Sequence, residues 1–194
     1  MFGIATFDPW IASEYKRATL KPLVLGESPY DEDFTDRQII ESQIERDLPG
    51  GQRRTFTNFE RAVLGQEHSE GERKSFWRRS IFYNYNLSFF PGGPREPVEY
   101  GKRENAENGI ILQRMLTRFR PIHTIVWGKA NWESIDIGPV WKDSIIPGSA
   151  EPYSAAKVKG HTTLFTRVHH PSSGFSSRYW RPILKAFLAL KPYN

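Results

Sequence analysis

The chain has 194 residues, of which 38% are hydrophobic and 25% charged, as expected for a globular protein with one core. It has no cysteine, which excludes disulfides, thiolate catalysis, iron–sulfur clusters and cysteine-ligated zinc. The net charge of +5 favours a polyanionic partner, and no apolar run is close to the roughly 18 residues of a membrane span.

The first part of the chain predicts a helix followed by a buried strand. Ile11 to Leu20 favours a short helix. The apolar run from Pro22 to Leu25 is flanked by charge and closed by Gly26, which is typical of a strand rather than a helix.

A second helix is predicted over Phe34 to Leu48, where apolar residues recur at nearly helical spacing. Thr35 and Asp36 can cap its start, and Pro49-Gly50-Gly51 should stop it. We interpret residues 34–52 as a helical insertion behind the first strand, in the position of a lid.

The middle of the chain predicts one further strand between two loops. Glu67 to Lys74 is charge-rich and is interpreted as a solvated loop. Ser80 to Leu87 predicts a strand in which Asn84 and Asn86 share one face, because side chains two residues apart point the same way. Phe90 to Pro97 is rich in proline and glycine and predicts a loop.

The remaining elements alternate between helix and strand. A helix is predicted over Asn105 to Phe119, strands over His123 to Trp127 and Thr163 to Val168, and a closing helix over Tyr179 to Leu190. Pro139 to Ala150 is expected to be irregular. The alternation predicts a single α/β domain over residues 1–194, with three α/β/α layers and a mainly parallel central sheet.

Two polar loops follow predicted strands, and we expect them to form one cleft at the carboxyl edge of the sheet. The first contains Gly26, Glu27, Ser28 and Tyr30. The second begins at His169-His170, and its Ser172, Ser173 and Ser176 suit contacts with nucleic-acid phosphates. Adjacent histidines of a strand point to opposite faces, so they do not predict a metal site.

A serine-hydrolase interpretation of the first loop is disfavoured. Ser28 would be the nucleophile and His170 the base. The residue after such a nucleophile supplies a backbone N–H to the oxyanion hole, but Pro29 has none.

Four motifs in order resemble the uracil-DNA glycosylase superfamily. GESPY at 26–30 and HPSSGFS at 170–176 are similar to the GQDPY and HPSPLS motifs of its best-known branch. IFYNYNLSFFPG at 81–92 resembles the strand with the uracil-reading asparagine, and HTIVWGKA at 123–130 resembles the strand ending in WG. The resemblance implies that superfamily's fold and its removal of uracil from DNA.

The resemblance implies a role for each polar group of the cleft. His170 would donate a hydrogen bond to the negative charge that develops on the departing base. Asn84 would read the uracil edge, with Asn86 as the second choice, and Gly26 would also border the substrate.

Aromatic residues would complete the site. Tyr30 would exclude the 5-methyl group of thymine, and Phe56 would stack on the flipped base, with Phe59 as the second choice and core packing as the alternative for both. Phe175 would fill the gap left by the flipped nucleotide.

This chain departs from the best-known branch at one position. Ser28 replaces the aspartate that positions the attacking water, so either Glu27 supplies a carboxylate or the backbone near Ser28 orients the water. Another branch has glutamate after the glycine, but its cysteines hold an iron–sulfur cluster. This chain has no cysteine that could hold one.

The predicted function is a monofunctional uracil-DNA glycosylase that needs no metal or cofactor. The alternative is a catalytically weak protein that binds damaged, modified or abasic DNA. Arg78 and Arg79 are candidate phosphate contacts, as are Arg53, Arg54 and Lys74; the alternative for all of them is a solvated basic face. We expect a monomer of bacterial, nucleoid-associated type in the cytoplasm.

Overall fold

The computed structural model describes residues 7–27, 35–45, 50–87, 102–135 and 141–192. The strands are β1 (Trp10–Ile11), β2 (Pro22–Gly26), β3 (Ile81–Asn84), β4 (His123–Trp127), β5 (Trp141–Ile145), β6 (Pro152–Val158) and β7 (His161–Val168). The helices are a 3₁₀ turn (Tyr15–Arg17), α1 (Asp36–Glu45), α2 (Gly50–Leu64), α3 (Glu70–Trp77), α4 (Lys102–Phe119), α5 (Lys129–Ser134) and α6 (Ser177–Ala189).

The seven strands form one mixed sheet in the order β1-β3-β2-β4-β7-β6-β5. The four central strands are parallel to one another. The outer strands β1, β6 and β5 pair antiparallel with their neighbours. The predicted α/β class with a parallel centre is therefore confirmed.

The strands bury both faces, as the run Leu23-Val24-Leu25 illustrates. Val24 faces a core built with α1, α2, α3 and α6, whereas Leu23 and Leu25 face a second core that contains the apolar face of α4. All three side chains are essentially inaccessible to solvent. This division of one strand between two cores makes the three-layer arrangement and explains why β2 is uniformly apolar.

The helix predicted over Ile11 to Leu20 is wrong. Trp10 and Ile11 instead pair with Phe82 and Ile81 of β3, and only the 3₁₀ turn follows. The Trp10 indole N–H also donates to the carbonyl of Trp77 at 2.9 Å. Partners about 70 residues away therefore determine the backbone here.

The predicted insertion is part of the core rather than a lid. In α1, Ile39, Ile40 and Ile44 are buried in the same core as the central strands. Thr35 caps this helix, since its hydroxyl accepts from the Gln38 N–H at 3.3 Å. The glycines expected to stop this helix are the first residues of α2, and residues 46–49 between the two helices lie outside the described part of the chain.

The segment predicted as a charged loop, Glu67 to Lys74, largely forms the start of α3. Ser69 and Glu72 make a reciprocal capping box, in which each side chain accepts from the other residue's N–H. The Arg73 guanidinium is buried and donates to the main-chain carbonyls of Gln43 and Ile44. Satisfied carbonyl partners allow this charge to lie inside the helical layer.

The segment from Pro139 to Ala150 is also more regular than predicted. Residues 141–145 form the edge strand β5, which pairs along its length with β6. Ile145 is 57% exposed, and WKDSI lacks the apolar content that identifies a strand from sequence. Within the described ranges, no helix combines the length and apolar character needed to cross a membrane.

Candidate active site at the carboxyl edge of the sheet

The parallel strands β3, β2, β4 and β7 end side by side and bring three polar segments together. Gly26 is in register with Asn84, and Trp127 with Val168. Beyond the strands, the Gly128 N–H donates to the Val168 carbonyl at 2.9 Å. Glu27, Asn84 and His170 therefore share one edge of the sheet, as the two-loop prediction requires.

Gly26 lets the side chain of Asn84 lie directly against the neighbouring strand. A Cβ atom at position 26 would collide with Asn84 Oδ1 and lie 3.1 Å from the Phe82 ring. The absence of a side chain is therefore a packing requirement, which comes from the approach of Asn84 rather than from an unusual backbone angle.

We expect Gly26→Ala to lower the free energy of unfolding by about 1–3 kcal/mol, because the new methyl group must displace Asn84. Urea denaturation of both proteins measures the change. Gly71→Ala in α3 is the matched control, since nothing but the Ser69 hydroxyl lies within 4 Å of its added methyl. Equal unfolding free energies for Gly26→Ala and the parent would contradict the packing requirement.

Asp36, in the first turn of α1, holds Asn84 from the opposite side. Its carboxylate accepts from the Asn84 backbone N–H at 2.8 Å and from Nδ2 at 2.5 Å. These bonds orient the carboxamide, with Nδ2 toward Asp36 and Oδ1 toward Gly26. Burial raises the pKa of Asp36 to about 6, although both hydrogen bonds from Asn84 act in the opposite direction.

Asn86 has a structural role, contrary to its prediction as a substrate contact. β3 ends at Asn84, so the strand alternation does not continue to Asn86. Its Nδ2 donates to the carbonyl of Glu27 at 2.8 Å, and its Oδ1 accepts from Asn108 of α4 at 3.0 Å. The side chain is 1% exposed and ties the end of β2 to α4.

His170 is partly buried just beyond β7 and carries its proton on Nε2. The backbone N–H of Ser172 points at Nδ1 from 3.3 Å, and the Ser172 hydroxyl lies 2.6 Å from the same atom. A backbone N–H can only donate, so Nδ1 must be an acceptor. Burial lowers the pKa of His170 to about 4, which keeps the ring neutral at physiological pH.

The Glu27 carboxylate and His170 both approach Gly128, at the start of α5. A Cβ at position 128 would lie 3.7 Å from Glu27 Oε2 and 3.9 Å from His170 Cβ. Gly128 has a φ of +88°, which other residues rarely adopt. This position therefore requires glycine, and the Glu27 carboxylate and the Cβ of His170 border it.

The adjacent histidines diverge. His169 is exposed and packs edge-on against Trp180, with ring centres 5.5 Å apart. His170 lies edge-on to Trp127 at 6.0 Å. Only His170 shares the site with Glu27 and Asn84.

The loop after His170 is built more tightly than predicted. Ser172 and Ser173 are both exposed, as a phosphate contact would require, and the Ser172 hydroxyl also lies 2.6 Å from Nδ1 of His170. The hydroxyl of Ser176 accepts from the Tyr179 N–H at 3.3 Å and caps α6. Phe175 stacks on Trp180 with an interplanar angle of 13°, so its ring is packed and does not project as a wedge.

The two aromatic candidates for base stacking are core residues. Phe56 is 4% exposed and contacts the rings of Trp77, Phe82 and Trp127 at centroid distances of 5.3–5.6 Å. Phe59 is completely buried. A stacking platform needs one open ring face, so core packing, the alternative, describes both residues in this structure.

Arg78 and Arg79 lie at the wrong edge of the sheet for the predicted role. They follow α3 and precede β3, whereas Asn84 ends that strand. A four-residue strand spans about 13 Å, which separates the arginines from the site. Arg79 instead lies 3.6 Å from the Glu14 carboxylate, so neither arginine joins the phosphate contacts predicted near His170.

Ser28 and Tyr30 lie outside the described residues, so their predicted roles stay predictions. Among the described residues, no group of three or more His, Asp or Glu side chains is arranged to hold a metal ion.

Sequence reasoning missed two polar residues that support the site. The sequence pattern indicates only a helix cap at Asp36, which is the usual role of aspartate at such a position. Asn131 of α5 is fully buried and donates from Nδ2 to the Gly26 carbonyl at 2.9 Å. Neither contact has a local signal, because the partners are 48 and 105 residues apart.

Comparison with known proteins assigns no family. No protein-family model matches the chain, and a search of curated proteins finds no match. The function proposed below is therefore argued from the motifs and from the geometry at the carboxyl edge.

Proposed function

We propose that this chain is a uracil-DNA glycosylase, which hydrolyses the bond between uracil and deoxyribose and leaves an abasic site. The observation that carries the proposal is the convergence of Asn84, Glu27 and a neutral, Nε2-protonated His170 at one sheet edge. These are a carboxamide, a carboxylate and a hydrogen-bond donor, the three groups that such a hydrolysis uses. The four motifs that resemble the superfamily, three of which contain these residues, also support it.

In the proposed reaction the C1′–N1 bond breaks and its electron pair moves onto the base. Negative charge then develops on the carbonyl oxygens of uracil, and a donor that is already in place stabilises that charge. His170 supplies this donor through Nε2–H, because Nδ1 is already an acceptor for Ser172. A neutral donor avoids the need to protonate a histidine whose pKa is about 4.

Asn84 selects the base. A carboxamide offers an acceptor and a donor side by side, which complements the N3–H and the adjacent carbonyl of uracil. Asp36 determines which end of the amide faces which way, so it is a positioning residue. A cytosine, whose donor and acceptor are exchanged at this edge, would not match the same orientation.

Glu27 is the candidate for orienting the water that forms the new C1′–O bond. Its carboxylate lies within 4 Å of the same point as the Cβ of His170. A carboxylate can accept one proton of the water as the oxygen attacks, and the proton then leaves to solvent.

The deciding experiment is single-turnover incubation with an oligonucleotide that carries one uracil, followed by alkaline cleavage of abasic sites. Strand cleavage at the uracil position, with none in a thymine-containing control, would support the proposal. The oligonucleotide is tested as a single strand and as a duplex. If the folded protein, in excess, cleaves neither form, the proposal is rejected.

Glu27→Gln should slow uracil release by about 10²-fold or more, because an amide cannot accept the proton of the water. The same single-turnover assay measures the rate. Glu133→Gln is the matched control, since Glu133 is exposed on α5, where it lies 3.6 Å from Lys129. If Glu27→Gln keeps the parental rate, the water is positioned by another group.

One observation favours a second candidate, a DNA-binding protein with weak or no catalysis. Asn84 is 7% exposed and its Nδ2 is bound to Asp36, so the carboxamide is less accessible than in an open reading pocket. Tight binding of uracil-containing or abasic DNA without base release in the single-turnover assay would favour this candidate.

A further inference from the structure

A basic groove lies between α4 and the β6–β7 hairpin. It has a volume of about 580 Å³, with one wall from α4 and the other from the end of the hairpin. Of the described residues that line it, none is acidic and four are cationic, namely Arg114, Arg118, Lys157 and Lys159. Gln113 and Thr117 add polar groups, and Ile110 and Val158 add a small apolar area.

The four cations are exposed, and within the described part of the chain none of them is engaged by an acidic side chain. Several other described cations have such a partner, as in the pair of Lys74 and Glu70 at 2.9 Å. Four like charges around one concave surface repel one another. A bound polyanion would relieve that repulsion.

The fold presents these charges on rigid elements. Arg114 and Arg118 are four residues apart on α4, so they lie on one face of the helix. The hairpin turns through Lys159 and Gly160, whose φ angles of +44° and +78° are typical of a tight two-residue turn. The groove therefore exists without a ligand, which limits the ordering cost of binding.

The groove is remote from the candidate active site. α4 ends just before β4 begins, and the β6–β7 turn precedes β7, so both walls end at the amino edge of the parallel strands. Glu27, Asn84 and His170 lie at the carboxyl edge. The cations of the groove are thus not part of the site described above.

We propose that this groove binds the phosphate backbone of double-stranded DNA as a second surface, separate from the site of base excision. Arginine and lysine side chains neutralise phosphates, and this contribution needs no particular base sequence. None of the described residues that line the groove is aromatic, so they offer no stacking platform of the kind that single-stranded binding uses. The backbone of a duplex is therefore the form of nucleic acid that it suits.

Other anionic partners fit less well. An acidic peptide could not extend the sheet here, because β6 is paired with β5 and β7 and leaves no open edge. A membrane surface would favour several exposed apolar side chains beside the cations, but Ile110 is the only large one that is strongly exposed among the residues lining the groove.

The test measures binding of a fluorescent duplex of about 20 base pairs without uracil, by anisotropy from 50 to 200 mM salt. The variants are the helix pair Arg114→Gln/Arg118→Gln, the hairpin pair Lys157→Gln/Lys159→Gln, and all four together. A control of equal charge change replaces exposed cations elsewhere, namely Lys16, Arg17, Lys185 and Lys191, by glutamine.

Each phosphate contact releases condensed counterions and contributes about 0.9 to the slope of log affinity against log salt. The slope should therefore decrease by about 2 for each pair and by 3–4 for the fourfold variant, with less than 1 for the control. Equal losses in the control and the fourfold variant would overturn the proposal, because bulk charge alone would then explain binding. The proposal would also be overturned if the fourfold variant still bound the duplex but no longer bound a polyglutamate peptide or anionic vesicles.

The result is separable from the proposed excision activity. The fourfold variant should release uracil from a single-stranded oligonucleotide of about six nucleotides at the parental rate, since that substrate cannot reach the groove. Conversely, His170→Ala should keep the parental salt slope on the undamaged duplex. A protein that never releases uracil but shows the groove-dependent slope would retain this inference and lose the proposed function.

Discussion

His170→Ala is expected to slow uracil release by about 10²–10³-fold, the usual effect of removing one donor to a developing negative charge. The side chain lies two residues beyond the end of β7 and is partly buried, and its removal takes away the Nε2–H that would face the base. Single-turnover rates on a uracil-containing oligonucleotide measure the effect. Circular dichroism melts of both proteins establish that the fold persists.

The neighbouring histidine is the matched control. His169→Ala removes an imidazole of the same size, exposed and packed against Trp180, and should change the rate by less than about threefold. Parental activity in His170→Ala, or equal losses in the two variants, would remove His170 from the proposed mechanism.

The tautomer of His170 gives a finer test. Ser172→Ala removes the hydroxyl from Nδ1 but keeps the backbone N–H that also points at that atom. The proton should therefore stay on Nε2, and the rate should fall by no more than about tenfold. Nitrogen chemical shifts of labelled His170 report the tautomer directly.

Asp36→Asn is expected to stabilise the fold and to weaken catalysis. The pKa of Asp36 is about 6 in the folded protein, against 3.8 for an unperturbed aspartate. The folded state therefore binds more protons than the unfolded state between these values, and stability falls as pH rises from about 4 to 6. The stability lost in this way amounts to about 2–3 kcal/mol above pH 6, and a side chain at position 36 that carries no charge does not lose it.

Chemical denaturation from pH 4 to 8 measures this prediction. The parent should lose stability across that window, and Asp36→Asn should lose about 2–3 kcal/mol less of it. Asp143→Asn, which alters an exposed residue on β5, is the control and should follow the parent. Parallel curves for the parent and Asp36→Asn would contradict the raised pKa.

The same substitution should reduce uracil release by about tenfold or more, because an amide at position 36 no longer dictates which end of Asn84 faces it. In the parent, the rate should fall as pH drops below about 6, when Asp36 becomes protonated. That acid limb should disappear in Asp36→Asn, while His170 stays neutral down to about pH 4. An unchanged limb in the variant would assign it to another group and leave Asp36 a merely structural residue.

A stabilising substitution that weakens activity would mean that the fold tolerates an unfavourable buried carboxylate for the sake of the site. Functional positions commonly carry such a cost. Among the described residues, the strong partners of Asp36 are the two N–H groups of Asn84, and these do not offset its burial.

The parallel centre of the sheet and the meeting of its polar loops were determined by the sequence itself. The apolar runs of β2 and β4 are uniform because both of their faces are buried, and a glycine or a polar residue marks where each run ends. Strands joined by helical connections must be parallel and end at one edge, so Glu27, Asn84 and His170 were brought together by local patterns and a general rule of topology.

The tertiary structure alone decided the polar partners and the edge on which each charge lies. The bonds between Asp36 and Asn84, and between Asn131 and Gly26, join residues far apart in sequence, and polar pairing has no period that a sequence pattern can reveal. The backbone at Trp10 follows its pairing with β3 rather than helical propensity. Arg78 and Arg79 lie at the amino edge because they precede β3, and Phe56 is enclosed because three rings from other elements converge on it.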